Sequence, residues 1–236
     1  MVPVIATKSV LGLPFTIGIY WLSSELYQRA GRPPLLNPTL MTIAAVCSAL
    51  LALGVPHAVY FESVSAPHYL LGTAVVALSV PLYRNLHKLA RELRTISIAV
   101  AAGSFTSIIA GLVIAKALGA SPATVLSIAP KSATAAVSME IARGIGGFPP
   151  VTACLTILTG IIGAVAGPYI LTWMGVISPA ARGVALGTAS HGIATARAFS
   201  ECELAGCCAS LAMCVNAILT ALVVPPIIEA MRQLKF

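Results

Sequence analysis

Charge is what this chain has least of. Only 9% of its 236 residues are charged, and aspartate is absent, all seven acids being glutamate. A soluble domain commonly devotes roughly a quarter of its residues to charge. With 58% hydrophobic residues and a mean hydropathy of +0.95, an ordinary soluble enzyme is excluded. The six cysteines (Cys47, Cys154, Cys202, Cys207, Cys208, Cys214) form no Cys-x-x-Cys, and no histidine stands at ligand spacing from them. A metal site and a disulfide framework are therefore not expected, since free buried cysteines behave as small apolar residues. Equally missing are a Gly-x-Ser-x-Gly elbow, a His-Glu-x-x-His pair and a glycine-rich phosphate loop. Neither catalysis nor a cofactor is expected. The net charge of +7 does not point to nucleic acid, because the basic residues sit in short connections between apolar runs, where they set membrane orientation.

What the chain does have is apolar runs long enough to cross a bilayer as helices, which takes about 20 residues. Eight segments can be marked, at about 9–30, 38–55, 67–83, 95–118, 122–142, 150–176, 183–199 and 204–231. The expected fold is an all-α polytopic membrane protein, 1–236 forming one membrane domain. No small-x-small cleavage site follows Lys8, so the first run is expected to be retained. Arg84, Lys88, Arg91 and Arg94 form the strongest basic cluster, which places that connection in the cytoplasm.

A faint internal repeat runs through the chain. Pro14, Gly31, Pro33 and Pro34 recur 116 positions later as Pro130, Gly147, Pro149 and Pro150. Leu71-Gly72-Thr73-Ala74 recurs 115 positions later as Leu186-Gly187-Thr188-Ala189. Two four-segment repeats follow, about 10–118 and 126–234. If the first segment of each copy dips in and returns, the copies are inverted. That plan gathers Lys8, Arg29, Arg32, Arg84, Lys88, Arg91, Arg94, Arg182, Arg232 and Lys235 on one side, against Lys116, Arg143 and Arg197 on the other. It separates charge better than eight full crossings do, and repeats flanking a central site are a common transporter plan.

Two polar stretches stand out because ionisable groups inside hydrocarbon are costly unless they meet a cavity or a partner. Pro130 interrupts the fifth segment, and Lys131-Ser132-Ala133-Thr134 follow. Proline ends one helix and can open the next, so a new helix is expected to start near Lys131, with free N–H groups that favour an anion. Lys131, Ser132 and Thr134 would add donors. In the seventh segment Gly187 and Gly192 bracket Thr188, Ser190 and His191, with Thr195 and Arg197 beyond. Pro130 and Gly187 are the expected helix breaks. Thr188, His191 and Thr195 would share a face if the segment stayed helical. The first copy carries Phe15, Val75, Val76, Val80 and Leu82 where the second has Lys131, Ser190, His191, Thr195 and Arg197, so the scaffold alone does not demand the polar set. Glu140 is out of phase with Lys131 and pairs more naturally with Arg143. Glu140 or His191 could carry a coupling proton. The composite reading is a site for a small anion, held by Lys131, Arg197 and the N-termini at the two helix breaks.

Both stretches resemble the LrgB/CidB family of bacterial membrane proteins. The resemblance rests on PKSATAAVSMEIARGIGGFPPVTACLTILTGIIGAVAGP (130–168) and ARGVALGTASHGIATARAFSE (181–201), with ASLAM (209–213), LLNPTL (35–40) and LLGTAVVALSVPLY (70–83). It departs from the family pattern at Thr73 and in the weakly acidic stretch Phe199–Glu203. The family implies a multi-pass protein of the bacterial cytoplasmic (inner) membrane. It carries two functional descriptions. One is an antiholin-like modulator of murein hydrolase export and autolysis, working with a small LrgA-like membrane subunit. The other, implied by similarity to the plastid glycolate/glycerate transporter and to pyruvate-transport pairs, is a carrier of 2-hydroxy or 2-oxo monocarboxylates. A homo-oligomer fits either.

Overall fold

A computed structural model describes residues 2–31, 33, 36–64, 79–84 and 86–233, and every regular element among them is α-helical. Residues 67–78 of the expected third segment, including Thr73 and the Leu71–Ala74 repeat half, lie outside the described residues, as do Arg32, Pro34 and Lys235. The chain divides into two compact units, Met1–Ser79 and Val80–Phe236.

In the first unit, α1 (Val2–Arg29) packs on α2 (Pro38–Leu53) and α3 (His57–Ser63). Asn37 caps α2 by accepting from the N–H groups of Thr39 and Leu40, Pro38 opens its first turn, and Gly54 closes it in the left-handed conformation. The Thr16 hydroxyl pairs with the Tyr60 hydroxyl at 2.8 Å. Pro14 lies inside an unbroken α1. Its correspondence with Pro130 therefore does not extend to a chain reversal.

The second unit contains α4 (Ser79–Arg84, from Val80 on), α5 (Leu86–Ala117), α6 (Pro122–Ile128), α7 (Ala135–Ile145), α8 (Pro149–Trp173), α9 (Pro179–Glu201) and α10 (Glu203–Gln233). Among the described residues, three stretches are long and apolar enough to span a bilayer: Leu93–Ala117 in α5, all of α8 and all of α10. In a bilayer, association of such helices leans on close packing, so small residues line the contacts. Gly183 and Gly187 of α9 lie directly on the backbone of Ala205 and Ala209 of α10, where any Cβ would collide. Gly163 and Gly167 of α8 likewise receive Ser190 and Leu186.

Contacts order this unit into two ends. At one, Arg182 meets the C-terminal turn of α8 through Thr172 Oγ1 and the Val176 carbonyl, both at 3.1 Å. At the other, Lys116, Pro122 and Arg232 border a common cavity, and Arg232 donates to the Ile145 carbonyl at 2.7 Å. Arg182 and Arg232 thus lie at opposite ends, which corrects the charge tally that grouped them. The reason is the path of α9, which starts and finishes at the Arg182 end, so that α10 departs from there and delivers Arg232 to the other.

Candidate functional site

Helix α9 is two helices folded against each other. Ser190 (φ −143, ψ 22) and His191 (φ 42, ψ −139) leave helical geometry. Arg182 donates to both carboxylate oxygens of Glu201, at 2.8 and 3.0 Å. Residues 19 apart on a straight helix would be separated by roughly 28 Å, far beyond the reach of two side chains. The chain therefore climbs to a tip at Ser190–His191 and returns. Gly187 stays helical, so the break falls three residues beyond the glycine expected to make it. Gly187 serves contact with α10 instead. Thr188, His191 and Thr195 consequently do not line one continuous helical face.

A second reversal follows α6. The Lys131 and Ala133 N–H groups close tight turns on the Ile128 and Pro130 carbonyls, and buried Ser138 donates to the Pro130 carbonyl at 2.6 Å. Beyond α7 the chain is back beside α6, where the Phe148 N–H donates to Ser127 Oγ at 2.8 Å. The helix does not begin near Lys131 as expected. Its N-cap is Thr134, and α7 starts at Ala135. Turns through Ala133 consume the N–H groups that an earlier start would have left free. Lys131 instead projects to α5, donating to the carbonyl and hydroxyl of Ser107, both at 3.0 Å. An ammonium carries three donors, and these two bonds use two of them.

Both tips lean on one turn of α10. Asn216 Nδ2 donates to the Ser132 carbonyl at 2.9 Å. One turn earlier, Met213 Sδ lies 4.0 Å from Thr195 Oγ1 and 3.9 Å from where a Cβ on Gly192 would stand. Three residues advance a helix by about 4.5 Å, so the reversals meet at nearly the same depth, having entered from opposite ends. Around them, Ser104 Oγ, Ser132 Oγ, Thr156 Oγ1 and Asn216 Oδ1 are buried with no hydrogen-bond partner among the described residues. Each such group costs about 1–3 kcal/mol, and such groups call for an explanation.

From the Arg182 end, a cavity of about 690 Å³ reaches this region between α5 and the ascending arm of α9. Thr95, Ala99, Gly103 and Ser107 recur every fourth residue along one wall, and Ala181, Ala185 and Ala189 along the other. Its inner end holds Thr188, Ala189 and the same Ser107 that binds Lys131.

The LrgB-like family model matches residues 16–230. The chain belongs to the LrgB-like family. Among curated proteins, this LrgB-like chain is 35% identical over 214 residues to the uncharacterized protein YxaC of Bacillus subtilis, covering 91% of this chain and 93% of that one. It is 32% identical over 221 residues to the holin-like protein CidB of Staphylococcus epidermidis, covering 94% and 96%. The Staphylococcus aureus holin-like protein CidB is 29% identical over the same length. No solved structure matches.

Within this LrgB-like fold the sequence-derived residues fall into two groups. Lys131, Ser132, Thr188, Ser190, His191, Gly192 and Thr195 lie on or beside the tips. His191 Nε2 donates to the Thr156 carbonyl at 2.9 Å, leaving Nδ1 as an acceptor in the neutral ring. The Thr188 and Thr195 hydroxyls donate to carbonyls one turn back, at 2.7 and 2.8 Å. Thr134 is half-buried at the start of α7. Arg197 and Glu140 stand apart. Arg197 lies one turn before Glu201 and acts on that carboxylate. Glu140 is exposed and holds Arg143 through both oxygens at 2.9 Å. Sequence reasoning missed Ser104, Ser107, Thr156, Asn216 and the Arg182–Glu201 pair. Asn216 had a readable signal, as the one amide side chain in the apolar run 204–231. Ser107 and Thr156 had none, because hydroxyls are ordinary in apolar helices.

Proposed function

We propose that this protein spans a bacterial cytoplasmic membrane and carries a small monocarboxylate of the 2-hydroxy or 2-oxo class, such as glycolate, glycerate or pyruvate. The observation that carries this reading is a lysine amine set among unpaired buried oxygens where two chain reversals meet. A cation at that depth needs a cavity or a partner, and interrupted helices meeting at mid-depth are how secondary carriers build solute sites. Lys131 holds the carboxylate. Ser132, Thr134, Thr188 and Ser190 read the oxygen at the 2-position, and Gly192 and Thr195 shape the returning arm. His191 is the group for a coupled proton; Glu140, tied to Arg143, is the less direct one. Arg197 contributes positive potential from the Arg182 end. Arg84 precedes the first spanning stretch and Arg94 lies at its start on that side, which we assign to the cytoplasm. In proteoliposomes, glycolate or pyruvate uptake should be lost in Lys131→Ala. Unchanged flux in that variant overturns the reading.

A second reading is favoured by the comparisons, which speak to it more directly than to transport. Two staphylococcal relatives are named holin-like, and on that reading we propose control of murein hydrolase export and autolysis through assembly with an LrgA-like subunit or further copies of this chain. None of the three relatives described above is named for a transported acid. On this reading the polar tips are packing and the working surfaces face lipid or partner. Thermal stabilisation separates the two: a carrier is stabilised saturably by its acid, and an assembly regulator does not respond.

A further inference from the structure

We infer that the cavity at the Lys116–Arg232 end of the second unit binds an anionic phospholipid, its phosphate held by the two cations and one acyl chain lying along the apolar floor. The inference goes beyond both functional readings and holds under either. Lys116 is the penultimate residue of α5 and Arg232 that of α10, so each closes a stretch long enough to span a bilayer. Both charges therefore stand at headgroup depth, on different helices, and both line one cavity of about 280 Å³.

The floor of that cavity is apolar and largely enclosed by the protein itself. Val125 and Ile228 are buried, and Leu126 and Met231 are half-buried. Ile228 lies one turn inward from Arg232, about 6 Å deeper along α10. Polarity thus runs from charged at the membrane surface to aliphatic toward the bilayer centre, the order of phosphate and acyl chain in a phospholipid. A free anion would match the cations and leave the floor unused, and a neutral lipid would do the reverse. The volume suits the upper part of one chain, with the remainder in the bilayer. Arg232 is already held in place, its Nη2 donating to the Ile145 carbonyl at 2.7 Å. Glu229 stands 3.8 Å from its Nη1, and with side-chain exposures of 55% and 62% that pair is weak. A guanidinium carries five donors in a planar fork that suits phosphate, and Lys116 adds a point charge from α5. Basic pockets between spanning helices hold anionic headgroups in this way.

Thermal denaturation of the full chain in a neutral maltoside detergent tests this with phosphatidylglycerol, phosphatidylcholine of the same acyl chains, and inorganic phosphate. Phosphatidylglycerol should raise the melting temperature saturably, phosphatidylcholine far less, and phosphate not at all. Lys116→Gln and Arg232→Gln should each weaken the apparent affinity for phosphatidylglycerol about fivefold. Arg232→Gln also gives up the Ile145 bond, so lipid response is compared within each variant, and Lys116→Gln serves if the other does not fold. Ala120→Phe, which adds bulk to the cavity lining with both cations intact, should reduce the response as well. Equal stabilisation by the two lipids, or unchanged affinity in the glutamine variants, overturns the phosphate site. A shift reproduced by phosphate alone overturns the lipid in favour of a free anion. An undiminished response in Ala120→Phe overturns the placement of the chain.

Discussion

His191 is the one non-glycine residue among those described with a positive φ. Its combination with ψ −139 lies close to a region populated almost only by glycine. A side chain there costs about 1–3 kcal/mol, and such strain is retained where the surroundings over-determine it. His191→Ala loses the imidazole bond to Thr156 and keeps the strain, whereas His191→Gly loses the bond and relieves it. The glycine variant should therefore be the more stable by about 1 kcal/mol, reversing the usual helical order of the two residues. Equal melting temperatures, or alanine the higher, would refute this geometry. Glycines nearby divide in the same way. A Cβ on Gly187 collides with the Ala209 backbone, which has no rotamer to yield, while one on Gly192 meets only the Met213 sulfur at 3.9 Å. Gly187→Ala should cost at least the 1–3 kcal/mol typical of overpacking, and Gly192→Ala should be near neutral, as read by thermal denaturation in detergent. Residue identity alone could flag these glycines, but their sequence context is similar and only the neighbour distinguishes them.

The element that most changes the meaning of the sequence is α9. Its composition reads as one segment of crossing length. The sequence marks Pro130 plainly, because a missing N–H is a chemical fact, and a reversal does follow it. Gly187 and Gly192 bracket Ser190–His191 and mark a break there, but not a full reversal. That turn is held by a contact across 19 residues, the Arg182–Glu201 pair, which no local periodicity encodes. Side chains on both partners are about 85% covered, with exposures of 15% and 17%. Hydrogen bonds from Arg182 hold the Glu201 carboxyl below the ordinary carboxylate range, with its charge and that of Arg197 adding to the effect against the opposing influence of burial. A depressed carboxyl contributes stability that is fully present above its unfolded value, about 4.3 for glutamate. That stability is lost as pH falls through the lower folded value. The melting temperature should accordingly drop on acidification below about pH 4.3. Glu201→Gln, starting lower at neutral pH, should show a smaller fall. Parallel curves for the two proteins would mean the pair does not hold the hairpin.

At the scale of the second unit, three helices long enough to span alternate with two reversals, a plan only partly readable beforehand. Apolar length located α5, α8 and α10, since hydrocarbon thickness sets a minimum run that chance seldom meets. It could not separate a crossing from a there-and-back excursion, because both bury similar residues for similar lengths. Nor could it show that Lys131 faces Ser107, or that Arg197 and Glu140 stand apart from it. Those facts depend on how helices rotate against one another. The turns at Gly119 and Gly146 should lie on one face of the membrane and that at Gly175 on the other. Short epitopes inserted after each glycine, probed on intact and opened cells, should therefore be reached in a two-against-one pattern. Gly119 and Gly146 appearing on opposite faces would make 122–145 a full crossing.

Arg182 also binds the Pro168 carbonyl at 3.2 Å, so one guanidinium fastens both feet of the α9 hairpin to the end of α8. The base is thereby tied to α8, and the crown meets the same helix through contacts of its own, Ser190 on Gly163 and His191 on the Thr156 carbonyl. The crown is where Ser190 and His191 sit, flanked by exposed Ala189 and Gly192.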